Sequence, residues 1–247
     1  LLEWEKRSRN ILMNHPRQIL MVSPDYFDVV YKINDHMNVE NKVDKSLAQS
    51  QWSTLKQAYE SIGFEVIVAP GVEEFPDMVF SANQILTTPQ KIFLSQMKHD
   101  ERKGEVEYLA NYLKLENSVQ VKVGFESMGD CIWDYQGERL FGGHGFRTDK
   151  RAYDEIRKHI NYEIIELELT NSNFYHLDTC LSIINKDTAL YVASAFSKKG
   201  LDCLANSFSH LIKVDPDEAI KFLACNAHCP DGKTVLIEKG AIKLQEE

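Results

Sequence analysis

Apolar and polar positions alternate along this chain in two rhythms. Short apolar runs broken by a turn predict hairpins, and longer stretches with apolar residues every third or fourth position predict amphipathic helices. The hairpins fall at Gln84 to Thr88 with Lys91 to Ser95, Cys131 to Tyr135 with Arg139 to Phe141, Leu181 to Asn185 with Thr188 to Ser194, and Phe222 to Asn226 with Thr234 to Glu238. Their turns centre near Pro89, Gly137, Lys186 and Gly232, at intervals of 48, 49 and 46 residues. A helix and then a single strand follow each of the first three: Glu101 to Leu113 then Val119 to Val123, Thr148 to His159 then Glu163 to Leu169, and Lys198 to Phe208 then Leu211 to Val214. Even spacing of one supersecondary unit is how propellers and solenoids are written in sequence.

The two ends supply parts of one further unit. Gln18 to Val22 predicts a strand, Ser46 to Ser61 a helix closed by Gly63 in the C′ position, and Glu65 to Val68 the strand that follows. Gly240 to Glu247 has the pattern of the opening turns of another amphipathic helix, and the chain starts at Leu1 without Met. The expectation is therefore a chain truncated at its C-terminus, whose missing strand would join the N-terminal one and close a ring of five units.

Three polar segments sit at the same phase of the repeat, just after the single strand and at the entry to the hairpin. They are Pro76 to Asn83, Phe125 to Asp130 and Phe174 to Thr179. In a ring, equivalent positions converge on one end of the axis, which brings together Asp77 and Asn83, Glu126 and Asp130, and His176 with Asp178. Taken singly, an Asp or Asn at a strand entry is ordinarily a turn residue, and a lone His is ordinarily a satisfied structural one. Their common phase is what argues for a site. Several acceptors around one histidine suit a planar cation with many donors, such as a guanidinium, with His176 available for proton transfer.

Composition narrows the partners. The formal net charge is −9, which argues against nucleic acid and anionic membranes and mildly favours a cationic small molecule. Five cysteines at irregular spacing with no CxxC predict reduced thiols rather than a disulfide frame or zinc site. No apolar run approaches the ~18 residues of a membrane span, and Leu1 to Arg17 lacks the apolar core of a signal peptide. The expected setting is the cytoplasm, and a homo-oligomer is compatible with the sequence.

The same segments, with Gly142 to Asp149 and Met21 to Val29, carry a resemblance over nearly the whole chain. The chain resembles the guanidino-group modifying enzymes: arginine deiminases, arginine dihydrolases, amidinotransferases and dimethylargininases. That resemblance implies an α/β fold, a five-bladed α/β propeller, with residues 1–247 forming one domain of this kind. It implies that Glu126 binds the guanidinium and helps shuttle protons, that His176 is the general acid/base, and that Asp178 is the second guanidinium-binding acid. Asn83 stands where many members carry Asp; Asp77 matches the group that holds the substrate's α-amine, and Arg102 and Arg147 match those that hold its carboxylate. Read from the residues alone, Arg102 would pass as a surface helix residue.

The implied chemistry is covalent, with a thiolate attacking the guanidinium carbon and no metal or cofactor required. In the family the nucleophile lies near the C-terminal end, a position expected beyond Glu247 in this chain. Cys225 is expected in the core, Cys229 on a solvent-facing turn, and none of the five cysteines as the nucleophile. Asp178 favours an unsubstituted guanidinium, because dimethylargininases typically carry Lys or another residue there, and Asn83 resembles the dihydrolases. Arginine dihydrolase thus stands slightly ahead of deiminase, with dimethylargininase and amidinotransferase as alternatives. A guanidino-compound binding module without a nucleophile is the non-enzymatic alternative.

Overall fold

The computed structural model describes residues 18–134 and 138–245. The expectations for Leu1 to Arg17, for the turn at Tyr135 and Gly137, and for Glu246 and Glu247 lie outside the described residues.

The repeat is visible as four small sheets among the described residues. The first pairs β1 (Gln18–Val22) with β2 (Glu65–Ala69) in parallel. The next three each hold three strands: β3 (Ile85–Thr87), β4 (Ile92–Leu94) and β5 (Val119–Gln120); β6 (Cys131–Trp133), β7 (Arg139–His144) and β8 (Glu163–Glu168); β9 (Leu181–Ile183), β10 (Thr188–Tyr191) and β11 (His210–Lys213). In each the first two strands form an antiparallel hairpin and the third lies parallel to the second.

A parallel neighbour needs a crossover, and a helix supplies it in every unit. These are α1 (Lys45–Ser61) between β1 and β2, α2 (Asp100–Tyr112) between β4 and β5, α3 (Arg151–Ile156) between β7 and β8, and α4 (Lys198–Ser207) between β10 and β11. Local sequence fixes their ends. Asp44 caps α1 by accepting from the Leu47 N–H, and Ser197 caps α4 by accepting from the Gly200 N–H. Gly63 stands past α1 at φ +89°, the left-handed position expected of it. The α3 helix begins three residues later than the pattern predicts, because Thr148 and Asp149 are engaged elsewhere: the Asp149 N–H donates to the Gly124 carbonyl.

Three apolar clusters lie between neighbouring units. Val22, Ala69, Met78, Ile85 and Leu109 join the first sheet to the second. Phe93, Phe125, Leu140, Tyr153 and Ile156 join the second to the third, and Phe141, Leu167, Phe174, Leu181, Leu190 and Phe208 join the third to the fourth. Each cluster fixes one polar segment at its rim, so packing between units sets the spacing of the site.

The fourth predicted hairpin does not form. Phe222 ends a helix, α5 (Pro216–Phe222), and Leu223 turns the chain in the left-handed region at φ 50°. Asp215 caps α5 by accepting from the Asp217 and Glu218 N–H groups, with Pro216 in the first turn, a start signal that the apolar run Phe222 to Cys225 obscures. Residues 234–238 carry no strand; His228 and Leu236 form a single antiparallel bridge. That bridge folds Cys229 back into the protein, so it is buried rather than solvent-facing. Cys225 is buried in the core, as expected. Among the described residues no helix is long and apolar enough to cross a membrane.

Candidate active site

The three polar segments occupy equivalent places. Single helical turns at Pro76–Val79 and Ser81–Asn83 precede β3, Ser127–Asp130 precedes β6, and Leu177–Thr179 precedes β9. Glu126 and His176 meet between the second and third of these. The His176 Nε2 lies 2.7 Å from Glu126 Oε2, with both side chains buried. Arg147 Nη1 donates to the same carboxylate at 3.2 Å, and the Lys98 N–H donates to Glu126 Oε1 at 3.2 Å.

Burial by itself would raise the Glu126 pKa. The His176 hydrogen bond and the charges of His176, Arg147 and Arg102 outweigh it and hold the carboxyl down at about 2. Burial likewise opposes a charged His176, but Asp130, Glu126 and Asp178 overcome it and raise the imidazole above its usual value. Glu126 is thus ionised, and its charge with those of Asp130 and Asp178 favours the protonated, proton-donating form of His176. Asp178 is half-buried beside it; burial, which the His176 charge only partly offsets, raises its pKa to about 7. The Asp178 backbone carbonyl accepts from Asn226 Nδ2 at 3.0 Å.

The first segment is clamped by Arg102. This side chain is buried rather than on the surface, and it donates to both oxygens of Glu105, to Asn83 Oδ1 at 3.1 Å, and to the carbonyls of Asp77 and Phe80. Its donors thus go to protein acceptors, and nothing in the sequence marks Glu105, three residues along the helix, as the partner. Guanidinium can only donate, so the Asn83 atom facing Arg102 must be the oxygen, which leaves Nδ2 on the other side. Asn83 Nδ2 has no protein partner. It borders Gly129, where an added Cβ would run into Asn83 Nδ2 and stand 3.5 Å from His176 Cγ. Gly129→Ala is therefore expected to lower stability by about 1–3 kcal/mol by forcing Asn83 aside. Thermal denaturation checks this, and an unchanged melting temperature would contradict the close approach.

Asp77 is buried with Oδ2 accepting from the Tyr31 hydroxyl at 3.0 Å and Oδ1 without a protein partner. Burial raises its pKa against the opposing charges of Arg102 and Arg147. A buried carboxylate oxygen without a donor is costly, and a ligand ammonium group would satisfy it. Tyr31 belongs to the 23–44 segment, which reaches the site twice more. The Ile33 carbonyl accepts from Arg147 Nη2 at 3.0 Å, and the His36 ring lies 6.1 Å from Tyr175. Tyr175 in turn lies under the Arg147 guanidinium, 4.7 Å from its ring centroid. A depression of about 690 Å³ beside Tyr31 is lined by Asp25, Asp28, Glu73, Glu74 and Glu101 with Lys45, a net negative surface that attracts cations.

Asp130, expected among the substrate-binding acids, is spent on the protein instead. Its Oδ2 accepts from Thr148 Oγ1 and its Oδ1 from the Leu177 N–H, and it is fully buried. Sequence pattern also gave no sign of Ser95 and Ser127, whose hydroxyls pair under the site while Ser95 donates to the Asn83 carbonyl. Ser127 adopts φ +44°, a strained conformation for a residue other than glycine, directly after Glu126. Of the five cysteines, Cys131, Cys180, Cys225 and Cys229 are buried with thiol pKa values pushed up chiefly by burial. Cys203 lies on α4. Among the described residues no group of three His, Cys, Asp or Glu is placed to hold a metal ion.

This constellation matches a known family. The profile of N,N dimethylarginine dimethylhydrolase, eukaryotic, matches residues 24–237. The chain belongs to this family. Family membership makes it one of the hydrolases that act on guanidino C–N bonds. It is 33% identical to the N(G),N(G)-dimethylarginine dimethylaminohydrolase of Mycobacterium tuberculosis over 228 residues, which cover 92% of this chain and 74% of that protein. It is 34% identical over 219 residues to the bifunctional arginine dihydrolase/ornithine cyclodeaminase ArgZ of Synechocystis, covering 85% of this chain and 30% of that protein. The crystal structure of a variant ArgZ N-terminal domain covalently bound to a reaction intermediate superposes with a TM-score of 0.82 at 30% identity, covering 93% of this chain and 87% of that one. The mixed α/β fold is thus shared with this dimethylarginine dimethylhydrolase family and its arginine dihydrolase relatives.

Proposed function

We propose that this protein hydrolyses the guanidinium group of arginine or a close analogue, in the manner of an arginine dihydrolase, through a covalent thiouronium intermediate. The observation that carries this is the buried Glu126–His176 pair, 2.7 Å apart, beside the acids Asp77 and Asp178 and the free Asn83 amide. Glu126 and Asp178 would grip the guanidinium, and Asp77 would take the α-amine. Arg147 would hold the carboxylate, with Arg102 fixing Asn83 and Asp77.

The steps balance without a cofactor. A thiolate forms a C–S bond to the guanidinium carbon, His176 gives its proton to the departing nitrogen, and the C–N bond breaks to release ammonia. Water then attacks the same carbon, loses a proton to His176, and displaces the thiolate to leave a ureido group. In a second round water cleaves that group to an amine, ammonia and carbon dioxide. After the first round the substrate carries an oxygen acceptor, and the unpartnered Asn83 Nδ2 is the donor that suits it. That match supports two rounds over one.

Of the five cysteines, the four buried ones have thiols pushed up by burial and Cys203 lies on α4 away from the pair, so none is assigned as the thiolate. The covalent ArgZ domain supports the thiouronium route by similarity. The three sheets of like topology and the parallel pair support a five-bladed α/β propeller in which residues 1–247 belong to one domain. The reaction is assigned to the cytoplasm, on the reduced state expected of the thiols.

Dimethylarginine is the second substrate reading, favoured by the family profile. The test is to incubate the full-length protein with arginine and with asymmetric dimethylarginine and to resolve the products by mass spectrometry. Ornithine with ammonia supports the dihydrolase route, and citrulline with dimethylamine replaces it with the second reading. No turnover of either overturns both. On the dihydrolase route Asn83→Asp is expected to shift the product from ornithine to citrulline, since a carboxylate offers the ureido oxygen no donor.

A further inference from the structure

We propose that Asp130 and Thr148 are a positioning pair that sets the Glu126–His176 distance, an inference that rests on the proposed hydrolase function. Glu126 and His176 stand at the entries to different sheets, 50 residues apart in sequence. Packing between sheets places them coarsely, but a 2.7 Å contact between two side chains requires their backbones to be held as well.

The holding groups form one chain of hydrogen bonds. The Glu126 N–H donates to Thr148 Oγ1 at 3.1 Å. The Thr148 hydroxyl donates its single proton to Asp130 Oδ2 at 2.7 Å. The other oxygen, Asp130 Oδ1, accepts at 3.0 Å from the N–H of Leu177, the residue directly after His176. Two short side chains thus connect the backbone of the acid to the backbone of the histidine. All of them are buried, so no water competes for the same groups. The Tyr153 hydroxyl lies beneath the bracket between two carbonyls, Gly143 at 2.5 Å and Asp130 at 3.0 Å, which share its single proton.

Residue type is dictated at each place. Position 148 must accept from one neighbour and donate to the other, which a hydroxyl does and a methyl group cannot. Position 130 faces two donors, which a carboxylate satisfies and an amide does not. Asp130 Oδ2 also lies 4.0 Å from His176 Nε2, the nitrogen that Glu126 Oε2 meets at 2.7 Å, so the bracket adds a second negative charge near that nitrogen while leaving the Glu126 hydrogen bond intact. Neither Asp130 nor Thr148 has a free group to offer a substrate, which makes them positioning residues rather than catalytic ones.

The test compares Thr148→Val with Thr148→Ser in the full-length protein by two independent readouts. The first is NMR of the isotopically labelled protein. Thr148→Val is expected to speed hydrogen exchange of the Glu126 amide at least tenfold and to shift the His176 imidazole resonances, although residue 148 has no hydrogen bond to that ring, whereas Thr148→Ser leaves both near the wild type. The second is kinetics on whichever guanidino compound the wild type turns over. Thr148→Val is expected to lower kcat by roughly 10–100-fold with KM changed less than threefold, and Thr148→Ser to recover to within threefold. Thr148→Ala, which likewise lacks the hydroxyl but adds no bulk, replaces the valine variant if that fails to fold. Unchanged His176 resonances, or equal effects of Val and Ser, overturn the positioning pair. If the wild type turns over neither arginine nor dimethylarginine, the proposed function falls, and the NMR comparison alone decides the bracket.

Discussion

Glu126→Gln is expected to lower turnover by about 10²–10⁴-fold, the range associated with loss of positioned proton transfer. The carboxylate accepts from His176, from Arg147 and from the Lys98 N–H. An amide turns one of those acceptors into a donor and removes the charge that keeps His176 protonated. The pH profile carries the diagnosis. His176 has a raised pKa in the folded protein, so its protonated form persists above 6.5 and activity should decline only as pH climbs through that raised value. In the variant the alkaline limb should move to lower pH. A kcat within threefold of the wild type with an unmoved limb would remove Glu126 from the chemistry. The same carboxyl links stability to acid: its unfolded value is near 4.5 and its folded value about 2, so its contribution is complete above 4.5 and is lost as pH falls towards 2.

Arg102→Met should cost about 3–5 kcal/mol of stability, because it strands the buried Glu105 carboxylate without its counter-charge. Arg102 is 4% exposed and Glu105 is fully enclosed, so water cannot take over. The removal also frees Asn83 Oδ1 and the carbonyls of Asp77 and Phe80. For a chain of this size the melting temperature should fall by on the order of 10 °C. Adding Glu105→Leu should recover much of the loss, since a pair replaced by apolar groups of similar volume leaves no lone charge. Gln84, which donates to Glu105 at 2.6 Å, would remain to be satisfied, so recovery should stay incomplete. A single-variant loss below about 1 kcal/mol would show that the ion pair does not hold the first segment.

The repeat, the helix positions and the three polar segments were legible because each depends on local chemistry: turn residues at strand entries, caps before helices, and periodic apolar faces. Glu126, His176, Asp77 and Asn83 could be grouped from phase alone. Burial of Arg102 could not. On its helix it stands between Glu101 and Lys103, a charged run with the look of a solvated face, and its acceptors at Asp77, Phe80 and Asn83 come from an earlier part of the chain. The setting of Asp130 was only half legible. Phase brings it to the segment that holds Leu177, but that its oxygens accept from the Leu177 N–H and from Thr148 depends on a residue outside the three segments. The fourth hairpin failed because apolar content from Phe222 to Cys225 outweighed the start signal of Asp215 and Pro216, although the latter carries the local geometry.

The contact between Arg147 and Glu126 has a bearing on how salt should affect ligand capture. With His176, Lys98 N–H and Arg147 all donating to it, Glu126 is never a bare anion awaiting a partner. A guanidinium that engages this carboxylate must take the place of one the protein already keeps there, and the step is a swap of equal charges rather than a neutralisation. Ionic strength should then slow the encounter with a cation drawn by the acidic surface around Tyr31 far more than it weakens the hold on a cation already seated.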